Sequence, residues 1–222
     1  MHRTIEPTIL YFGTPVAILS TENEDGSANL APMSSAWWLG WSCMLGLGSM
    51  GKSSENLLRT REVVINLPSV HEVSAVDRLA LTTGKDPVPE LKRSWGYRYE
   101  SDKFREAGLT PVASETVRPP RVRECPVQME GIVHDVRPFG RNVSAHAFEV
   151  HVTRLHVDES LLVEENGRQH IDPTRWQPLL MSFCRFFGLG PEVHPSRLAD
   201  SPFHAFVRRG TGPRAPERAK AG

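Results

Sequence analysis

The chain has 222 residues, 26 Lys plus Arg against 26 Asp plus Glu, and is 39% hydrophobic and 23% charged, so its formal charge is zero. That length suits one domain with a core able to bury most of its apolar surface. The balance excludes a basic nucleic-acid binder and a polar disordered chain, and 18 Pro with 17 Gly argue for short strands and many turns rather than long helices.

Cys43, Cys125 and Cys184 form no C-x-x-C pair and show no zinc spacing, which suits a reducing cytoplasm. Met1 to Thr8 lacks the apolar segment of a secretory signal, and no apolar run is long enough to span a bilayer. The expectation is a cytoplasmic protein with neither a nucleic-acid nor a membrane partner.

In chain order, residues 8 to 21 read as an apolar strand region interrupted by Gly13 and Pro15. Asp25-Gly26 closes a hairpin, so Ala28 to Ser34 runs back antiparallel. Ser42 to Gly48 and Val63 to Leu67 are further short strands. Between them Ser53 or Ser54 is expected to cap a short helix that buries Leu57 and Leu58. The spacing of Val70, Val73, Val76, Leu79 and Ala80 predicts an amphipathic helix over 70–81.

Thr82 to Pro120 holds five prolines, three glycines, scattered charge and four aromatics, the composition of an ordered excursion that shapes a site. Alternation returns at Val127 to Val133 and at Phe148 to Val152, with Phe139-Gly140-Arg141-Asn142 as the turn of a second hairpin. Leu179 to Leu189 is a last apolar piece, and 207–222 is a basic Pro/Gly-rich tail expected to be disordered.

The richest chemistry lies in Ser49 to Asn56. A glycine, a lysine, hydroxyls and the free N–H groups of a helix start together make an anion cradle; the plainer reading is a capped surface helix with a solvated lysine. Lys52 and Arg59 give the region local positive charge. The segment is not expected to be a P-loop, whose spacing is read as out of phase here. Gly46, Gly48 and Gly51 fit G-x-G-x-x-G, but the hairpin signals oppose the parallel unit that fingerprint needs.

In Leu30 to Gly40, Ser34 and Ser35 precede a Trp pair, an arrangement against which a flat heteroaromatic ring could lie. The plainer reading makes Trp37 and Trp38 core or interface aromatics. His146, His151 and His156 cannot share one ion, since at about 3.3 Å per residue the first and last stand roughly 33 Å apart. No metal is expected. No nucleophile elbow or catalytic cysteine setting is present.

Several segments then occur in a telling order: Thr14-Pro15-Val16-Ala17-Ile18-Leu19-Ser20-Thr21, the Asp25-Gly26 turn, Asn29-Leu30-Ala31-Pro32-Met33-Ser34-Ser35, Gly51-Lys52-Ser53-Ser54-Glu55-Asn56 and Glu62-Val63-Val64-Ile65-Asn66-Leu67-Pro68. Phe104 to Pro111, Glu124 to Gln128 and His156 to Glu159 follow. Together they resemble the flavin reductase-like, or flavoredoxin-like, family of FMN-binding split β-barrels, over most of residues 9 to 200.

The resemblance implies a mainly β fold with added helices, an antiparallel Greek-key-like split barrel forming one domain over 1–206. It also implies a homodimer that binds FMN, with FAD as the alternative. By resemblance Pro32, Met33, Ser34, Ser35 and Ala36 run along the isoalloxazine, and Ser49, Lys52, Ser53 and Asn56 surround the phosphate. The implied chemistry is hydride transfer from NAD(P)H to flavin without an obligatory side-chain acid or base. Reduced flavin or electrons then pass to a monooxygenase or other redox partner. Where many such reductases have Gly-Asp-His, this chain reads Val143-Ser144-Ala145-His146. An electron-transfer flavoprotein reduced by a partner protein, or a specialised biosynthetic flavoprotein, is therefore the alternative.

Overall fold

The computed structural model describes residues 1–141, 143–165 and 168–197; the expected tail over 207–222 lies outside them. Strands β1 (Ala17–Glu22), β2 (Ala28–Met33), β3 (Ala36–Leu39) and β4 (Ser42–Gly48) lead into helix α1 (Lys52–Thr60) and strand β5 (Glu62–Leu67). Helices α2 (Val73–Leu79), α3 (Glu90–Ser94) and α4 (Lys103–Ala107) precede the long strands β6 (Val127–Phe139) and β7 (Ala145–Val157).

The seven strands form one antiparallel sheet in the order β2-β1-β5-β6-β7-β4-β3. Its two edges are consecutive in the chain with only Ser34 and Ser35 between them. The sheet therefore curls until its edges face each other, giving a barrel that stays split at that seam.

Alternation along the strands divides the apolar residues between two cores. Ala17 and Leu19 of β1 point inward with Leu45, Ile65, Phe148 and Val150, whereas Val16 and Ile18 face an outer layer made by α2, α4 and Val122. Gly131 permits the tight curvature between β6 and β7, because a Cβ there would stand 2.6 Å from Val150 Cγ1.

Several elements depart from the sequence reading. The strand region over 8–21 is two strands broken at Val16: Phe12–Pro15 pairs with Leu180–Ser182 outside the barrel, with a shift of register at Gly13, whose φ is +80. The helix expected over 70–81 is a 3-10 turn, Val70–Glu72, followed by α2. Ser69 and Glu72 cap that turn reciprocally, and Thr82 Oγ1 donates to the Leu79 carbonyl at 2.8 Å just past the end of α2. Ala80 is exposed.

The second hairpin is longer than its alternation suggested, at 13 residues per strand. Pairing of β7 with β4 extends it, from Ala145 opposite Gly48 to His151 opposite Ser42. The turn pivots on Gly140, with φ +83; Asn142 of the expected turn lies outside the described residues. The excursion over 82–120 is ordered, holding α3, α4 and two-residue strand pairs.

One buried carboxylate ties the end of the excursion to the barrel. Glu130 on β6 is fully buried and accepts from the N–H groups of Glu115 at 2.9 Å and Thr116 at 2.6 Å, and from the Thr116 hydroxyl at 2.7 Å. His156 Nε2 lies 2.8 Å away. Burial pushes this carboxyl up, but the donors from Thr116, Glu115 and His156 outweigh it and hold the group below the ordinary glutamate range. A depressed carboxylate contributes stability above its ordinary range, and that contribution is lost as pH falls through the depressed value. Glu130→Gln should therefore lower the unfolding free energy by about 2 kcal/mol near neutral pH in urea titrations. It should also flatten the acid limb; an equal deficit at every pH would contradict a role for the charge.

Candidate functional site

The sequence at the end of β4 sets a tight turn into α1. Gly51 N–H donates to the Gly48 carbonyl at 3.1 Å, and the first helical bond runs from Glu55 N–H to the Gly51 carbonyl at 3.2 Å. Gly51 is the N-cap and offers no side chain. The expected serine cap is thus corrected: Ser53 and Ser54 sit inside the first turn, 5% and 1% exposed. Among the described residues nothing accepts from the N–H groups of Lys52, Ser53 and Ser54, which leaves the positive end of the helix open. Leu57 is buried as expected, whereas Leu58 is exposed.

This helix end opens into a cavity of about 760 Å³ between the barrel and the excursion, within the roughly 300–1,000 Å³ range of small-molecule sites. Barrel residues Asn29, Ala31, Gly48 and Ser144 form one side, and Thr83, Gly84, Lys92, Trp95, Tyr97 and Lys103 of the excursion form the other. Asn29 Nδ2 donates to Ser53 Oγ at 2.9 Å, while its buried Oδ1 has no partner. Gly84 approaches so closely that a Cβ there would stand 2.7 Å from that oxygen.

The excursion brings two cations without counter-ions. Lys103 is 3% exposed, and its Nζ donates to the Leu30 carbonyl at 2.8 Å. Burial, with a smaller effect from Lys92, pushes its ammonium down to about 7. Lys92 sits 5.1 Å over the Tyr97 ring and is lowered by burial and then by Lys85. Neither lysine forms an ion pair among the described residues. Lys52 differs: its Nζ lies 2.6 Å from Glu24 and 3.6 Å from Glu55.

The nine residues singled out from the sequence do not all converge. Lys52 and Ser53 line the cavity. Ser49 lies beside it, its hydroxyl donating to the Ser144 carbonyl at 3.0 Å. Asn56 is enclosed behind it, bonded to Thr21 Oγ1 at 3.1 Å and Asn23 Oδ1 at 2.9 Å. Pro32, Met33 and Ser34 line a separate cleft of about 150 Å³ with Val76 and Phe186. Ser35 packs against Gly46, and Ala36 is buried in the barrel core. Arg59 is at the other end of α1, donating to the Glu22 carbonyl.

Lys103, Lys92, Asn29 and Gly84 were not singled out. Asn29 had a signal, since it shares the inward face of β2 with Ala31. Lys103 had one as well, a lysine immediately before an apolar Phe104 that must be buried.

Gly46 to Ser53 also corrects the reading of the P-loop, because the spacing G-x-x-x-x-G-K-S is present there. Context removes that assignment: β4 pairs antiparallel on both sides, whereas a P-loop joins a parallel strand to its helix.

The family model for the flavin reductase-like domain matches residues 9–189. The chain belongs to that family. The uncharacterized protein YdfE of Bacillus subtilis (strain 168) is 42% identical over 191 residues, spanning 86% of this chain and 91% of that one. Flavoredoxin of Desulfovibrio vulgaris (Miyazaki F) superposes with a TM-score of 0.72 at 20% identity, over 90% of this chain and 100% of that chain. Nitrilotriacetate monooxygenase component B from Bacillus cereus gives 0.66 at 22% identity, over 85% and 89%. These structural likenesses show the split-barrel fold.

In this flavin reductase-like domain the uncompensated lysine has a stability signature. The folded-state value of Lys103 lies below the unfolded one, so the charged form costs stability below about 7, and that cost is relieved as pH rises towards the ordinary lysine range. In ligand-free protein, Lys103→Met should raise unfolding free energy near pH 6 by on the order of 2 kcal/mol and remove most of the gain towards pH 9. Denaturant titrations across that range test it, and a variant with the wild-type pH profile would contradict it.

Proposed function

We propose that this protein is a flavin oxidoreductase that holds FMN in the cavity at the start of α1 and accepts reducing equivalents from NAD(P)H. The observation behind this reading is the meeting, in one cavity, of three free N–H groups of α1 with two lysines that lack counter-ions. Such a set fits an anionic ligand, and the aromatic wall of Trp95 and Tyr97 fits one that also has a planar ring.

The N–H groups of Lys52, Ser53 and Ser54 would hold the phosphate, with the Ser53 hydroxyl at the same end. Asn29 holds the Ser53 hydroxyl in place from behind, through its Nδ2 at 2.9 Å. Flavin, when bound, supplies the capacity to take a hydride. Lys103, already desolvated, offsets negative charge that develops in the cavity, at a strength it would lack in water. The excursion walls one side of the same space, and no residue is required to move a proton. Reduced flavin or its electrons would then pass to a monooxygenase component or another redox partner.

The second copy in a homodimer would cover the split edge. Strand β3 leaves Trp37 57% and Leu39 77% exposed on an unpaired edge, an apolar patch that a lone subunit presents to water. Leu39→Glu should shift the sedimentation profile from dimer to monomer; a monomeric wild type would contradict the assembly.

For the function itself, anaerobic NADH or NADPH should bleach the flavin absorbance of the FMN-loaded protein. Bound flavin that neither nucleotide reduces would overturn the donor assignment in favour of a protein donor. Lys52→Ala should weaken FMN about tenfold and riboflavin less than about twofold in fluorescence titrations. Equal losses for the two ligands would remove Lys52 from the phosphate end.

A further inference from the structure

We propose that Glu24 and Glu55 make this a site for a flavin mononucleotide and turn away a dinucleotide flavin, a specificity that rests on the flavin reading above. A second cavity, of about 590 Å³, adjoins the first and shares Lys52 and Gly84 with it. It lies next to the open end of α1, so a ligand whose phosphate sits on those N–H groups and which continues into a second phosphate and an adenosine has this space beside it. The volume falls in the about 300–1,000 Å³ range of ligand sites. Size is therefore not what discriminates.

Charge does. The outer cavity is lined by five carboxylates, those of Glu24, Asp25, Glu55, Asp86 and Glu100, and by the ammonium groups of Lys52 and Lys85; two guanidinium groups reach these carboxylates from outside the lining, Arg59 Nε at 3.9 Å from Glu24 and Arg98 Nη1 at 3.0 Å from Glu100. Both lysines are already engaged: Lys52 with Glu24 at 2.6 Å and Glu55 at 3.6 Å, and Lys85 with Glu55 at 2.6 Å. The Lys52 hydrogen bond holds Glu24 below the ordinary glutamate range, Ser27 holds Asp25 low, and the Asp102 N–H with Arg98 holds Glu100 low. All three are anionic at neutral pH.

Lys92 and Lys103 of the inner cavity have no carboxylate partner, so the inner space attracts an anion, whereas the space past Lys52 presents excess negative charge. A monophosphate ends before that boundary. The second phosphate of a dinucleotide would lie on its wrong side, facing the Glu24 and Glu55 carboxylates that flank the one lysine common to both cavities.

The test is a fluorescence titration of FMN and FAD against wild type, Glu24→Gln, Glu55→Gln and the double variant, with circular dichroism to verify folding. Wild type should favour FMN over FAD by at least about tenfold, and the double variant should narrow that ratio by about tenfold. A second arm needs no variant: raising salt from about 0.05 to about 0.5 M should narrow the wild-type ratio, because the repulsion is screened. FMN binding with a ratio that neither the substitutions nor salt changes would overturn this inference and leave the flavin reading standing. Wild type that binds FAD as tightly as FMN would overturn it too, and binding of neither flavin would overturn both.

Discussion

The site depends on one unmade set of hydrogen bonds. An α-helix begins with N–H groups that have no partner within the helix, and most helices satisfy one of them with a side chain at the N-cap. Here the N-cap is Gly51, and the serines that could have served come two and three residues later, inside the first turn and buried. The barrel holds this open end in place: Asn29 of β2 reaches Ser53, Asn56 bonds Thr21 and Asn23 at the end of β1 and in the following turn, and Gly51 closes on Gly48 of β4. Asn56 is thus a fixing residue for the helix, whose position behind the cavity explains why it belongs to the same sequence segment as the residues in front.

The excursion completes what the barrel begins. It is tied at one end by close packing of Gly84 against Asn29 and at the other by Glu115 and Thr116 on the buried Glu130 carboxylate. Between those anchors it lowers Lys92 and Lys103 towards the helix end. The overall neutrality of the chain therefore hides a separation of charge. Positive groups without partners are gathered inside, and carboxylates that hold their lysines gather just outside.

Strand and turn chemistry made the barrel readable in advance. Asp25-Gly26, the alternation of Val127 to Val133 and the apolar runs of β4 and β5 are local signals, and local signals survive in folded context. What was not readable depends on pairs distant in sequence. The helix cap is the exception, since whether Ser53 caps the helix or lies in its first turn is decided locally by the Gly48 to Gly51 closure. Whether Pro32, Met33 and Ser34 share a space with Lys52 depends on where α2 packs across the end of β2, and they line the cleft with Val76 and Ala80 of that layer instead. Lys103 and Asn29 are far apart in the chain, and only the fold shows that they belong to one wall.

Buried Lys103 also links the amount of folded protein to the supply of its ligand. A chain that keeps Lys103 out of water without a counter-ion is least stable when empty. Any anion that fits the cavity then stabilises the folded form by mass action, by about 2.7 kcal/mol at a hundredfold excess over its dissociation constant. Since proteases act on the unfolded fraction, cofactor-starved cells would hold less of this protein even at constant synthesis. The ammonium group proposed to offset charge in the filled cavity would thus mark empty copies for removal.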